Sequence, residues 1–141
     1  MRKIEPYELW IGHAGDLQNV PGVLAQGIAV VMELAGSEAS AKLPRDIVHI
    51  RIPLSDGGEN RQALLKLAID AVACMLSDHI PTLVACSAGL SRSVAIASVA
   101  VAIHEKRPFK ATLLDVCQSH PADVAPLLVN QIEDVLNCSR Y

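Results

Sequence analysis

The segment from Arg92 to about Lys106 is apolar nearly all round: every residue from Ser93 to Ile103 is small or hydrophobic. Its β-branched residues would suit a strand locally, but the run is too long for one, so it reads as a helix. A helix apolar on every face is stable only when covered on every side. That requirement forces a layered fold with this helix at its centre. Of the 141 residues, 51% are hydrophobic, enough to fill the core of one domain spanning 1–141. Only 3% are aromatic, so Val, Ile, Leu and Ala must build that core.

Around this helix, short apolar runs alternate with longer helical patterns. Leu9-Trp10-Ile11-Gly12 reads as a strand ending at a Gly-rich turn, and Gly27 to Met32 as a buried strand. Ile47 to Ile52 reads as another, with Val48, Ile50 and Ile52 on one face and Pro53 ending the ladder. Glu38 to Arg45 reads as a loop or frayed helix. Asn60 is the expected cap of a helix running to about Ser77, in which Leu64, Leu67, Ala68, Ala71 and Met75 share a face. Thr82 to Ala85, after Pro81, is a further buried strand. Beyond the stop at Pro108, helices are expected from about Lys110 to Ser119 and from Ala125 to Asn137. Cys74, Cys117 and Cys138 read as packing residues. Strands alternating with helices predict an α/β domain, a central mainly parallel sheet flanked by helices. Ligand sites in such sheets lie at the carboxyl ends of strands, where the loop after Ala85 would sit.

That loop is Cys86-Ser87-Ala88-Gly89-Leu90-Ser91-Arg92-Ser93. Backbone N–H groups at a helix start lack intrahelical partners and converge on anions, helped by the helix dipole. Gly89 permits a backbone shape other residues resist, and Ala88 leaves room beside it. Ser87, Ala88, Gly89, Leu90, Ser91 and Arg92 therefore form a candidate phosphate-binding loop. Converging N–H donors and a guanidinium favour the thiolate, the nucleophilic form of Cys86. Arg92 can grip two phosphoryl oxygens with its planar fork. Ser93 offers a hydroxyl to the cysteine sulfur. Four cysteines and seven arginines produce one Cys-x5-Arg pair by accident about one time in five. Demanding Gly89, Ser91 and Ser93 as well lowers that chance below about one in ten thousand.

Cys86 to Ser93 resembles the signature of the protein tyrosine phosphatase superfamily, and in particular of small, atypical members of its dual-specificity branch. Leu9 to Gly12 with Ala14 and Asp16 resembles that family's opening strand and turn, and Gly27 to Val31 its next strand. The resemblance implies a cysteine-phosphatase-like three-layer domain. It also implies a metal-independent phosphatase without cofactor, hydrolysing phosphotyrosine and phosphoserine/threonine on proteins through a phosphocysteine intermediate. Cys86 would be the nucleophile, Arg92 the phosphate clamp, and Ser93 the donor to the leaving sulfur. The family's general acid lies about thirty residues before the cysteine, which places it at Asp56, with Glu59 a second candidate. Arg51 could line the site from the strand before Asp56, but a solvated or ion-paired role suits it better. The sequence departs from the family at Ala85, where a His usually precedes the nucleophile.

Two other readings stand beside this one. A pseudophosphatase would bind phosphate at the same loop with little turnover, which the Ala85 departure motivates. A rhodanese-type sulfurtransferase also carries a cysteine loop on an α/β scaffold, but the Gly89 to Ser93 ending fits phosphatases better. Ala88 and Leu90 are neutral where a basic residue would favour inositol lipids.

The net charge of −3 provides no basic field to gather nucleic acid or an acidic membrane surface. The expected partner is a phosphorylated protein or another phosphomonoester. No cysteines form a CxxC pair and none clusters with His at zinc spacing. With no apolar stretch behind Arg2 and Lys3, a reduced, cytoplasmic protein is expected. His49, His79 and His104 fall on strand, turn and helix-end patterns and receive no catalytic role; His104 with Lys106 and Arg107 suits a helix C-terminus.

Overall fold

The computed structural model describes residues 1–36 and 38–139. Its strands are β1 (Arg2–Lys3), β2 (Leu9–His13), β3 (Val30–Glu33), β4 (Val48–Arg51) and β5 (Thr82–Cys86). Its helices are α1 (Val20–Ala25), α2 (Gln62–Ser77), α3 (Arg92–Glu105), α4 (Phe109–Ser119) and α5 (Pro126–Cys138), and a 3-10 turn, Ala14–Gln18, follows β2. The strands form one sheet in the order β1-β2-β5-β3-β4, with β1 antiparallel and the others parallel. The expected α/β architecture is borne out.

The apolar pattern dictates this arrangement. Every residue of β5 is buried, because the strand has neighbours on both edges and layers on both faces. Helix α3 is buried from Ser93 through Ala102, with α2, α4 and β5 packed around it. One core layer joins α2 to α5 with Leu9, Ile11, Met32, Leu34 and Val84 of the sheet side. A thinner layer on the opposite face gathers Trp10, Leu17, Val23, Val31 and Leu83. Because parallel strands point the same way, β2, β3 and β5 all deliver their carboxyl ends to one rim of the sheet, and the phosphate-type loop hangs there.

Several expected details are corrected. The buried face of α2 is Leu65, Ala68, Ile69, Val72 and Leu76, one residue round from the expected stripe. Both stripes are apolar, but the one carrying Ile69, Val72 and Leu76 fills more volume against α3, leaving Leu64 38% and Leu67 52% exposed. Cys74 rotates outward with that shift, and Cys117 and Cys138 are exposed as well, so none of the three is a core residue. Asn60 does not cap α2; Arg61 holds that position without a side-chain bond. Val48 lies 55% exposed at the start of the edge strand β4, where no further strand covers it, whereas Ile52 is buried. Strand β3 begins only at Val30, since Gly27 at φ +73° still belongs to the turn after α1. Residues 38–45 run as loop with no helical turn, within the expected alternatives.

Candidate active site

The loop between β5 and α3 is anchored by its carbonyl groups. Ser87 O accepts from Ala14 N at 3.3 Å, Leu90 O from Asp123 N at 2.8 Å and Ser91 O from Ala95 N at 2.8 Å. Among the described residues, no backbone N–H from Ser87 to Ser91 donates to a protein acceptor. With the carbonyls fixed outward, the donors are left for an anion. Gly89 makes the turn possible. Its φ is +72°, and a Cβ there would lie 2.9 Å from Gly12 O on the neighbouring strand.

The expected residues converge on this loop. Cys86, 2% exposed, ends β5 beside His13 of β2, and its Sγ lies 3.2 Å from Ser93 Oγ in the first turn of α3. Arg92 reaches back across the loop, donating through Nη1 to Leu54 O at 2.9 Å and through Nη2 to Ser87 Oγ at 2.8 Å. Its Nε is buried without a partner. A buried donor on a fixed guanidinium is costly unless something accepts from it, and a phosphoryl oxygen would do so.

Asp56 is brought to the same place. It lines a cavity of about 220 Å³ together with Cys86, Ser87, Ala88, Leu90, Ser91, Arg92 and Asp123. Ser91 Oγ donates to Asp56 Oδ1 at 2.5 Å and accepts from Ala125 N at 3.0 Å, so one hydroxyl joins the Asp56 loop, the phosphate-type loop and the start of α5. The Asp56 loop is shaped by Asn60 at its own end and by Gln131, which is remote in sequence. Asn60 Oδ1 accepts from Ser55 N at 2.7 Å, and Asn60 Nδ2 donates to Ser55 O and to Gln131 Oε1, each at 2.8 Å. Gln131 Nε2 donates to Gly58 O at 3.1 Å. Glu59 is exposed and does not line the Cys86 cavity; neither does Arg51, which donates weakly to Gly36 O at 3.4 Å. A larger cavity, about 440 Å³, lies between β1 and the helices α3 and α4, and contains no cysteine. Burial and a hydrogen bond to Glu105 push the Tyr7 hydroxyl there above its ordinary pKa.

No protein-family model matches the chain, and no curated protein matches its sequence. Solved structures do match in shape. Human DUSP28 superposes with a TM-score of 0.80 at 19% identity, covering 93% of this chain and 92% of that one. DUSP15 superposes at 0.81 with 24% identity, over 95% and 85%. A human tyrosine phosphatase-like serine/threonine/tyrosine-interacting protein superposes at 0.74 with 17% identity, over 90% and 89%. The chain has the dual-specificity phosphatase fold.

Within that fold two features escaped sequence reasoning. Asp123 borders the Cys86 cavity from the segment before α5, a placement that follows from tertiary packing and leaves no local signal. Glu33 is 3% exposed at the carboxyl end of β3, in register with Ala85. Its carboxylate meets His49 Nε2 at 2.6 Å and accepts from Ser40 Oγ at 3.4 Å. Ala85, where the family carries His, is 1% exposed in the thinner apolar layer with Trp10 and Val31. Its methyl side chain makes no polar contact, and its carbonyl accepts from Leu34 N at 2.8 Å.

Proposed function

We propose that the chain is a cysteine-dependent phosphomonoester hydrolase acting on phosphotyrosine and phosphoserine/threonine in proteins. The observation that carries this reading is the meeting of a buried thiol, an unpaired guanidinium N–H and a carboxyl group on one loop of free backbone donors. The dual-specificity phosphatase fold supports it.

Cys86 thiolate attacks phosphorus while the bond to the leaving oxygen breaks, and Asp56 gives that oxygen its proton. A phosphocysteine results. Water then attacks phosphorus, Asp56 takes the proton released, and the S–P bond breaks to return the thiolate and free inorganic phosphate. Ser93, within hydrogen-bonding distance of the sulfur, donates to it as negative charge returns. Arg92 and the loop N–H groups hold the equatorial oxygens, so positioning and fixed positive dipoles carry most of the rate. These steps call on no metal or other cofactor. The domain acts in the cytoplasm, on phosphorylated proteins rather than nucleic acid or a membrane surface. No helix among the described residues is long and apolar enough to cross a membrane.

Hydrolysis of p-nitrophenyl phosphate without added metal tests the proposal. Turnover is expected to vanish in Cys86→Ser, to fall by about 10³-fold in Arg92→Ala and by about 10²- to 10⁴-fold in Asp56→Asn. Folded wild-type protein no faster than Cys86→Ser would overturn it. Ala85 favours a second reading, a phosphate-binding module with little turnover; phosphopeptide binding without hydrolysis would establish that instead. Sulfur transfer from thiosulfate would point to the rhodanese-type alternative.

A further inference from the structure

The rim of the Cys86 cavity carries a carboxylate that the hydrolytic steps leave unused. Asp123 is exposed and borders this cavity beside Leu90. The backbone fixes its place: Asp123 N donates to Leu90 O at 2.8 Å, and Ala125 N donates to Ser91 Oγ at 3.0 Å two residues later. The Asp123 side chain forms no ion pair among the described residues.

The charges around it are unbalanced. Among the described residues, Arg92 is the one cation lining the cavity, against the two carboxylates Asp56 and Asp123. Two arms of that guanidinium are held by Leu54 O and Ser87 Oγ, and the unpaired Nε remains for the phosphoryl group. Arg51 donates to Gly36 O and lines neither this cavity nor the neighbouring one bordered by Gly36, Asp56 and Arg92. A bound phosphomonoester brings about two negative charges, which the loop donors and Arg92 answer. A further negative group beside the phosphate meets Asp123 on the rim rather than a second cation, and a positive one pairs with it.

We propose that Asp123 is a specificity-determining residue that selects phosphopeptides carrying Lys or Arg next to the phosphorylated residue and rejects those flanked by Glu or Asp. This rests on the phosphate-binding reading of the Cys86 loop. One exposed charge pair changes affinity by about threefold to fivefold, so exchanging Arg for Glu at a flank gives about tenfold between matched peptides. The preference weakens as salt shortens the screening length to about 8 Å at 0.15 M.

The test uses the full chain carrying Cys86→Ser, so that binding is read without turnover. Fluorescence anisotropy compares two phosphotyrosine peptides that differ only in basic or acidic flanks, at low and near-physiological salt. The basic peptide is expected to bind about tenfold more tightly at low salt, the ratio to fall toward one in Asp123→Asn, and to invert in Asp123→Lys. Because Asp123 makes its structural bond through the backbone, these variants keep the Leu90 contact. A ratio that both variants leave unchanged, or equal binding of the two peptides, overturns the proposal. Turnover of p-nitrophenyl phosphate by the wild type judges the hydrolase separately: its absence alongside a charge-dependent ratio rejects hydrolysis and keeps the selectivity. Failure to bind either peptide rejects the phosphate site and, with it, the selectivity.

Discussion

The two loops that meet over Cys86 are built by different means. The phosphate-type loop is shaped by its own strand and helix. Its ends belong to β5 and α3, its turn depends on Gly89, and its carbonyl bonds hold it against adjoining elements. The Asp56 loop has no such frame. It leaves the edge strand β4 and takes its shape from Asn60, from Gln131 of α5 and from the Ser91 hydroxyl. A loop whose turn hangs on one internal glycine fails at that residue. A loop held by distant side chains can be loosened from afar without disturbing the cysteine.

Breaking the first kind of loop gives the larger effect. Gly89→Ala places a Cβ against the backbone of Gly12 and keeps a positive φ that a side chain resists. A displacement of about 1 Å in a positioned reactive group costs on the order of 10²-fold in rate. Turnover of p-nitrophenyl phosphate is expected to drop by about that factor, with a stability loss of about 1–3 kcal/mol from the strained residue. Iodoacetate alkylation of Cys86 should slow as well, because the N–H groups that receive the reagent's carboxylate beside the sulfur move together. Alkylation at the wild-type rate would mean that the loop's shape does not govern the reactivity of Cys86.

Loosening the second loop sharpens the contrast. Asn60→Ala removes both bonds to Ser55 and the bond to Gln131. Gln131→Ala removes the last of these and the bond to Gly58. Each bond contributes about 0.5–1.5 kcal/mol, so either variant should misplace Asp56 by population rather than by collapse. About a tenfold loss is expected for phenyl phosphate, whose leaving oxygen needs a proton, and less for p-nitrophenyl phosphate, whose leaving group is stable without one. Cys86 alkylation should be unchanged. Equal losses on both substrates would remove the case for Asp56 as proton donor.

The same division explains what could be read from the sequence. Cys86, Gly89, Ser91, Arg92 and Ser93 are close in the chain, and their spacing alone pointed to one loop. The apolar run through Ala102 required a central helix, and the structure buries it throughout. Asp56 was placed by resemblance at a fixed distance before the cysteine, and the structure brings it to the cavity. Asn60 looked like a helix cap because Asn before an apolar run usually is one; its real partners lie in its own loop and on α5, beyond the reach of local pattern. Asp123 and Glu33 had no local signal at all, one being an Asp in an irregular segment and the other a charged residue ending a buried strand. In α2 two apolar stripes overlapped, and only packing against α3 decides which faces inward.

The smallest effect concerns the back of the phosphate-type loop. His120, 7% exposed, lines a cavity of about 220 Å³ with Gly89 and Leu90, and His13 and Asp16 border it too. The Nδ1 atom of His120 is buried without a partner. Burial, and secondarily the charge of Arg2, push its pKa below the ordinary value. The sign follows from proton binding. Below the unfolded value of about 6.5, the unfolded chain takes up a proton that the folded imidazole refuses, so stability falls as pH drops toward the folded pKa. Above that value His120 makes no pH-dependent contribution. Urea denaturation at about pH 7 and about pH 5 should therefore show a larger acid loss for wild type than for His120→Leu, which has nothing to protonate there. Since both proteins keep the carboxylates around Cys86, the difference between their slopes isolates this one imidazole. Equal slopes would mean that the packing behind Gly89 opens to solvent before the ring is charged, and that the back of the loop is held less firmly than its carbonyl bonds imply.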